Sequence, residues 1–155
     1  MARAPNGHLL GSTTIGGANG AGTIFDFDPS SGDLGTIYSF RETDAMGPQA
    51  ELTVAHDGQI YGTLSGGSES WGGSVFRINA DHTITPLRGF ADSTEGLYPD
   101  GGLVEGSDGA LYGTLRGGGA YYGAGVVFRL DVATGAFTPV RILSYEDGGN
   151  PFAGL

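Results

Sequence analysis

Asp57-Gly58-Gln59-Ile60-Tyr61-Gly62-Thr63-Leu64 recurs as Asp108-Gly109-Ala110-Leu111-Tyr112-Gly113-Thr114-Leu115, and a weaker copy precedes both as Asn6-Gly7-His8-Leu9-Leu10-Gly11-Ser12-Thr13. The glycines at 7, 58 and 109 are 51 residues apart each time. Three further blocks keep one order around each copy. The first is Gly22-Thr23-Ile24-Phe25, Gly73-Ser74-Val75-Phe76 and Gly125-Val126-Val127-Phe128. The second is Gly35-Thr36-Ile37-Tyr38, Thr85-Pro86-Leu87-Arg88 and Thr138-Pro139-Val140-Arg141. The third sets Pro48 before Leu52, Pro99 before Leu103 and Pro151 before Leu155. Four landmarks in one order, three times over, define a tandem repeat, with copies at about 1–51, 52–102 and 103–155.

Each block is short, β-branched or aromatic, and bounded by Gly, Pro, Asn or Asp, which is the pattern of a strand. Strand A is expected near 51–56 and 102–106, with a stub at 1–4. Strand B falls near 8–14, 59–65 and 110–116, and strand C near 22–28, 73–79 and 125–131. Strand D falls near 34–40, 83–90 and 136–143. Asn6-Gly7, Asp57-Gly58 and Asp108-Gly109 stand between A and B, where the positive φ of a type I′ turn marks a tight hairpin. No segment has a useful helical period. Ile24-Phe25, Val75-Phe76 and Val126-Val127-Phe128 put apolar groups on both faces of a strand, as a sheet packed between two neighbours needs. The expected fold is therefore all-β: a β-propeller segment of three four-stranded antiparallel blades. A β-solenoid, the rival, has a shorter repeat and no tight hairpin inside each unit.

The pattern Asp-Gly-x-Leu/Ile-Tyr-Gly-Thr, then Gly-Gly-x-x-x-x-Gly-x-x-Val-Phe-Arg, then Pro-x-x-Gly-Leu resembles the glycine-rich extracellular tandem repeats called GloVer repeats. Its layout is also similar to NHL-type propeller blades. Copies two and three match well, whereas copy one has Leu10 for Tyr, Ser12 for Thr and Asp26 for Arg. The resemblance covers the whole chain. It implies a secreted or cell-surface bacterial protein and brings no catalytic residues to carry over.

Composition narrows the function classes. A net charge of −10 repels phosphate backbones and anionic membrane surfaces, so neither nucleic acid nor membrane is an expected partner. There are no cysteines, hence no disulfide or thiolate metal site. Met1-Ala2-Arg3-Ala4-Pro5 leads into no apolar run, so no signal peptide is read there. Ser65 and Ser68 complete no Gly-x-Ser-x-Gly elbow. Gly117 to Gly123 misses Gly-x-Gly-x-x-Gly spacing. His8, His56 and His82 occupy different repeat positions without metal-ligand spacing. Asp28 to Asp33 lacks the ladder of a calcium loop and reads as a C–D turn. Tyr61 and Tyr112 recur, which points to packing. Arg77 and Arg129 recur too, expected over aromatic surface or paired with a carboxylate between blades. No catalytic residue, cofactor or metal emerges, and the chain is expected not to be an enzyme.

The B–C loops, near 15–21, 66–72 and 117–124, carry unrepeated residues: Asn19, then Glu69 and Trp71, then Tyr121 and Tyr122. Aromatics on glycine-rich loops stack on sugar rings or partner side chains; the plain alternative is that they cover the next blade's edge. In an antiparallel blade the D–A loops share that end, and they bring Glu42 and Asp44, Asp92 and Glu95, and Glu146 and Asp147. That end is expected to be markedly more acidic than the Asp-Gly end. The candidate ligand contacts are thus Trp71, Tyr121, Tyr122, Glu69, Asp44, Asp92 and Asp147. The expected role is a binding or scaffold module. The alternatives are a carbohydrate-binding propeller, a site for a cation or basic partner, or a lyase or hydrolase with carboxylates on the acidic end. Because closed propellers have about 4–8 blades, three blades call for partners: a homodimer of six blades is expected, with a nine-bladed trimer second.

Overall fold

The computed structural model describes residues 2–41, 44, 48, 50–66, 72–119 and 123–155. Twelve strands run in chain order: β1 (Ala2–Arg3), β2 (Leu9–Thr13), β3 (Thr23–Phe27), β4 (Leu34–Ser39), β5 (Thr53–Val54), β6 (Ile60–Leu64), β7 (Ser74–Ile78), β8 (Ile84–Gly89), β9 (Val104–Glu105), β10 (Leu111–Leu115), β11 (Val126–Leu130) and β12 (Phe137–Ile142). They form three antiparallel sheets in the orders β1-β2-β3-β4, β5-β6-β7-β8 and β9-β10-β11-β12. These are the propeller blades, with no helix among the described residues.

One detail recurs in every blade because the sequence recurs. The ladder between the third and fourth strands slips by one residue after Ile24, Val75 and Val127. Two of the residues opposite the slip are Pro86 and Pro139. Strand D is the free edge of its sheet, where a residue without an N–H is tolerated. At the other edge, the chain entering strand A approaches that of the adjacent blade: Gly102 lies against Glu51, and Gly154 against Gly102. The Thr53 hydroxyl donates to the Leu103 carbonyl. The A strands thus converge, and the D strands lie outermost.

The A–B hairpins correct the expected turn type. Gly58 N–H donates to Ala55 O at 2.8 Å and Ala55 N–H to Gln59 O at 2.8 Å, so three residues rather than two lie in the loop. Gly58 has φ +81°, while Asp57 is not left-handed. This is a type I turn closed by a glycine bulge, and type I′ would need positive φ at both central residues. The aspartate serves differently from the expectation: Asp57 Oδ1 accepts the Gln59 N–H at 2.9 Å. Gly7 and Gly109 repeat the geometry at φ +90° and +74°.

Packing lies between the blades. One cluster joins Leu10, Ile24 and Phe40 of the first blade to Leu52, Phe76 and Ile78 of the second. The other joins Tyr61, Val75 and Phe90 of the second to Leu103, Phe128 and Leu130 of the third. Each blade has a front face that meets the following blade and a back face that meets the preceding one. The glycine of strand B makes room for the strand C ring on the back face. A Cβ at Gly62 would stand 2.5 Å from Phe76 Cζ, and one at Gly113 would stand 2.8 Å from Phe128 Cζ.

Candidate functional site

By strand order the B–C and D–A connections of each blade leave the same end of the sheet. Of the sequence candidates at that end, Trp71, Glu69, Tyr121 and Tyr122 lie outside the described residues. Asp44, Asp92 and Asp147 lie in the D–A connections of the three blades, as expected, and each is engaged within its own turn. Asp44 Oδ2 accepts the Tyr38 hydroxyl at 2.7 Å and the Arg41 N–H at 3.0 Å. Burial, reinforced by that bond, pushes the Tyr38 phenol up to about 12. Asp92 Oδ1 accepts the Thr94 N–H and hydroxyl, both at 2.8 Å. These bonds hold its carboxyl below the ordinary range.

Asp147 is the most engaged of the three. Its Oδ2 accepts the Ser144 N–H at 3.0 Å and the Ser144 hydroxyl at 2.8 Å, and its Oδ1 takes Arg141 at 2.8 Å. Together, the backbone bond first, they hold it at about 2. An ionised carboxylate accepts hydrogen bonds better than a neutral one, so each bond favours the charged form.

The opposite end corrects the expected charge asymmetry. Asp28, Asp33, Asp57, Asp81, Asp108 and Asp131 all lie in A–B or C–D turns, at the end away from the D–A loops. Asp28 caps its turn through Ser30 and Ser31, which lower it to about 2. Asp131 does the same through Ala133 and Thr134. Carboxylates therefore line both ends. Arg129 Nε donates to Asp108 at 2.8 Å and Arg77 Nε to Asn79 at 3.1 Å, so these recurring arginines are tied within their own blades rather than between blades.

A feature absent from the sequence expectations sits at the B–C and D–A end. The Arg116 guanidinium lies between two rings, 4.9 Å from the Tyr98 centroid and 5.1 Å from that of Phe152. Its Nε donates to Asp100 Oδ2. Tyr98 is held in left-handed backbone, φ +64°, with its N–H on Gly72 O at 2.6 Å and its carbonyl accepting the Arg116 N–H at 2.9 Å. The arrangement joins the end of β10, the 98–100 connection and the 150–155 segment. A comparable arrangement places Arg88 over the Phe137 ring at 5.3 Å, with its guanidinium paired to Glu95. Among the described residues no cluster of His, Asp and Glu is arranged to hold a metal ion. Ile15, 78% exposed, is the large apolar side chain that the first B–C loop presents to solvent.

Comparison with known proteins bears on both fold and activity. The model of the Gloeobacter/Verrucomicrobia repeat matches residues 1–155. No curated protein sequence matches the chain. Among solved structures, TolB from Acinetobacter baumannii is similar over 90% of this chain and 31% of its own, at 16% identity and a TM-score of 0.62. The periplasmic gluconolactonase PpgL from Pseudomonas aeruginosa is similar over 90% of this chain and 43% of its own, at 22% identity and a TM-score of 0.55. The chain spans less than half the length of either. The second likeness overturns the expectation that the chain is not an enzyme, because proteins with this blade architecture are named as lactonases. At such identity the likeness carries the fold, and no catalytic residue comes with it.

Proposed function

We propose, from the premise that this chain belongs to the Gloeobacter/Verrucomicrobia repeat family, that it is a propeller binding module whose contacts lie at the B–C and D–A end. One observation supports this reading above the others. The blade cores keep the same residue types at matching positions, whereas the B–C loops differ in every copy and the first exposes Ile15 to solvent. Positions that a repeat does not need for packing are free to specialise, and loops on a rigid scaffold are where binding residues concentrate. Turn carboxylates are a poorer basis, since their oxygens are engaged locally. Carbohydrate is the first ligand class to test, because Trp71, Tyr121 and Tyr122 supply flat apolar faces in those loops.

A glycan array probed with the chain tests the reading. Binding should fall at least tenfold in Trp71→Ala, in the Tyr121→Ala/Tyr122→Ala pair and in Ile15→Ser, and persist in Asp57→Asn. Binding that ignores the loops and fails in Asp57→Asn would place the contact at the other end. Steady hydrolysis of a gluconolactone in a pH-stat, lost on loop substitution, would replace the binding reading with a catalytic one.

A further inference from the structure

Strand D closes each blade on the outside, and its free edge differs among the three copies. Opposite Phe25, Phe76 and Phe128 stand Thr36, Pro86 and Pro139. Opposite Ile24, Val75 and Val127 stand Tyr38, Arg88 and Arg141. Blades two and three thus carry a proline and an arginine on the edge strand, two devices that keep a sheet from pairing with another chain. The first blade has neither in Leu34-Gly35-Thr36-Ile37-Tyr38-Ser39. The bulge, a third such device, is common to all three blades.

The flanking bonds fix which way the β4 backbone points. Asp28 N–H donates to Asp33 O at 2.9 Å, and Phe40 N–H to Gly22 O at 2.9 Å. Bonding alternates along an antiparallel pair. Gly35 and Tyr38 therefore bond inward to β3, while the N–H and C=O of Leu34 and Thr36 point outward. No turn, loop or side chain among the described residues bonds to these outward groups. Further along, the Ser39 carbonyl takes Asn19 Nδ2 at 3.1 Å, which closes the edge at that end. A free N–H thus stands at Thr36, where Pro86 and Pro139 have none. This opening does not depend on which blades flank the first. Pro86 is exposed although its blade is packed on both faces. A neighbouring blade covers the face of a sheet and leaves this edge position in solvent.

Charge and area select the occupant. Between Arg3 and Arg41 the first copy carries Asp26, Asp28 and Asp33 and no Lys or Arg. Asp28 and Asp33 border the turn that leads into β4. A second copy is a poor occupant, because each chain carries a net charge of −10. A stable dimer also buries about 1,200–2,000 Å², more than one short strand edge offers. A basic peptide strand meets both conditions: main-chain bonds supply the attraction, and the carboxylates receive its cations. We propose that the outer edge of β4 docks an extended, lysine- or arginine-bearing peptide segment of another protein, which adds a strand to the first blade. The contact is separate from the loop end and does not depend on what the loops bind.

Fluorescence anisotropy tests the proposal with a labelled six-residue peptide that alternates valine and threonine between two terminal lysines. Binding should saturate, weaken as salt rises, and disappear when every backbone nitrogen of the peptide is methylated. Thr36→Pro installs the residue that the other two blades already hold there, so it should remain folded by circular dichroism. It should weaken binding about tenfold or more. Thr36→Ser keeps the N–H and should bind as the wild type does. Absence of saturable binding overturns the proposal, and so does equal binding to Thr36→Pro. Equal binding of a peptide with glutamates in place of the lysines overturns the choice of a basic partner. A wild type that elutes at twice 15.8 kDa by light scattering, and at the single mass in Thr36→Pro, gives the edge to a second copy and overturns the peptide.

Discussion

Gly62→Ala isolates the packing on which every blade depends. The added Cβ would stand 2.5 Å from Phe76 Cζ and 2.9 Å from both Phe76 Cε1 and Leu52 Cδ2. Carbon atoms prefer about 3.5–4.0 Å, so the ring has to retreat by about 1 Å or more. Phe76 is buried at 1% exposure, and its edge meets Phe40 with centroids 6.1 Å apart, so the retreat displaces the neighbouring blade. Overpacking of this kind costs about 1–3 kcal/mol. Gly62 is not left-handed, so alanine also removes freedom from the unfolded chain and returns about 0.4–1 kcal/mol. The net expectation is a loss of about 1–2 kcal/mol, or about 2–8 °C in Tm at this chain length. Thermal melts by circular dichroism read it directly. Phe76→Leu should cost less in the Gly62→Ala background than in the wild type, with a coupling of about 0.5 kcal/mol or more. A Gly62→Ala protein that melts at or above the wild type, with no coupling to Phe76, would refute the assignment of this glycine to ring clearance.

A Cβ at Gly58 or Gly109 meets no atom within 4 Å, so the cost of Gly58→Val and Gly109→Val is chiefly left-handed backbone strain, about 1–2 kcal/mol each; unchanged melting temperatures in both would refute the turn geometry. The Asp147 carboxyl should titrate at about 2 by carbon-detected NMR, and Ser144→Ala should raise that midpoint. Because the folded value is depressed, the stabilisation is present above the ordinary carboxylate pKa of about 3.9 and is lost as pH falls through about 2; a midpoint near 4 would contradict the bonding described. Arg116→Lys keeps the charge but loses the stacking of a planar group between Tyr98 and Phe152, and should lower stability by about 1–2 kcal/mol in chemical denaturation. A neutral result there would show the clamp to be incidental.

Much of the fold was legible because strands that recur at fixed spacing constrain one another. A single run such as Gly73-Ser74-Val75-Phe76 is an ambiguous apolar segment, but three copies flanked by the same turns leave few architectures. The turn type was less legible. Asp-Gly suits a two-residue type I′ loop and also a three-residue loop closed by a glycine bulge, and the choice depends on which flanking residues pair. The Ala55–Gln59 bond decides it, and that bond is a matter of register rather than residue type. The charge asymmetry failed for a different reason. The sequence expectation rests on carboxylates in the D–A loops and reads Asp28 as an ordinary C–D turn residue, leaving Asp81 and Asp131 uncounted. Capping a C–D turn is their role, and it leaves their charge at the opposite end.

The Arg116 clamp was invisible to repeat logic, since Ser65 and Thr14 stand at its position in the other copies. Its partners come from 98–100 and from Phe152, and only the convergence of three segments brings them together.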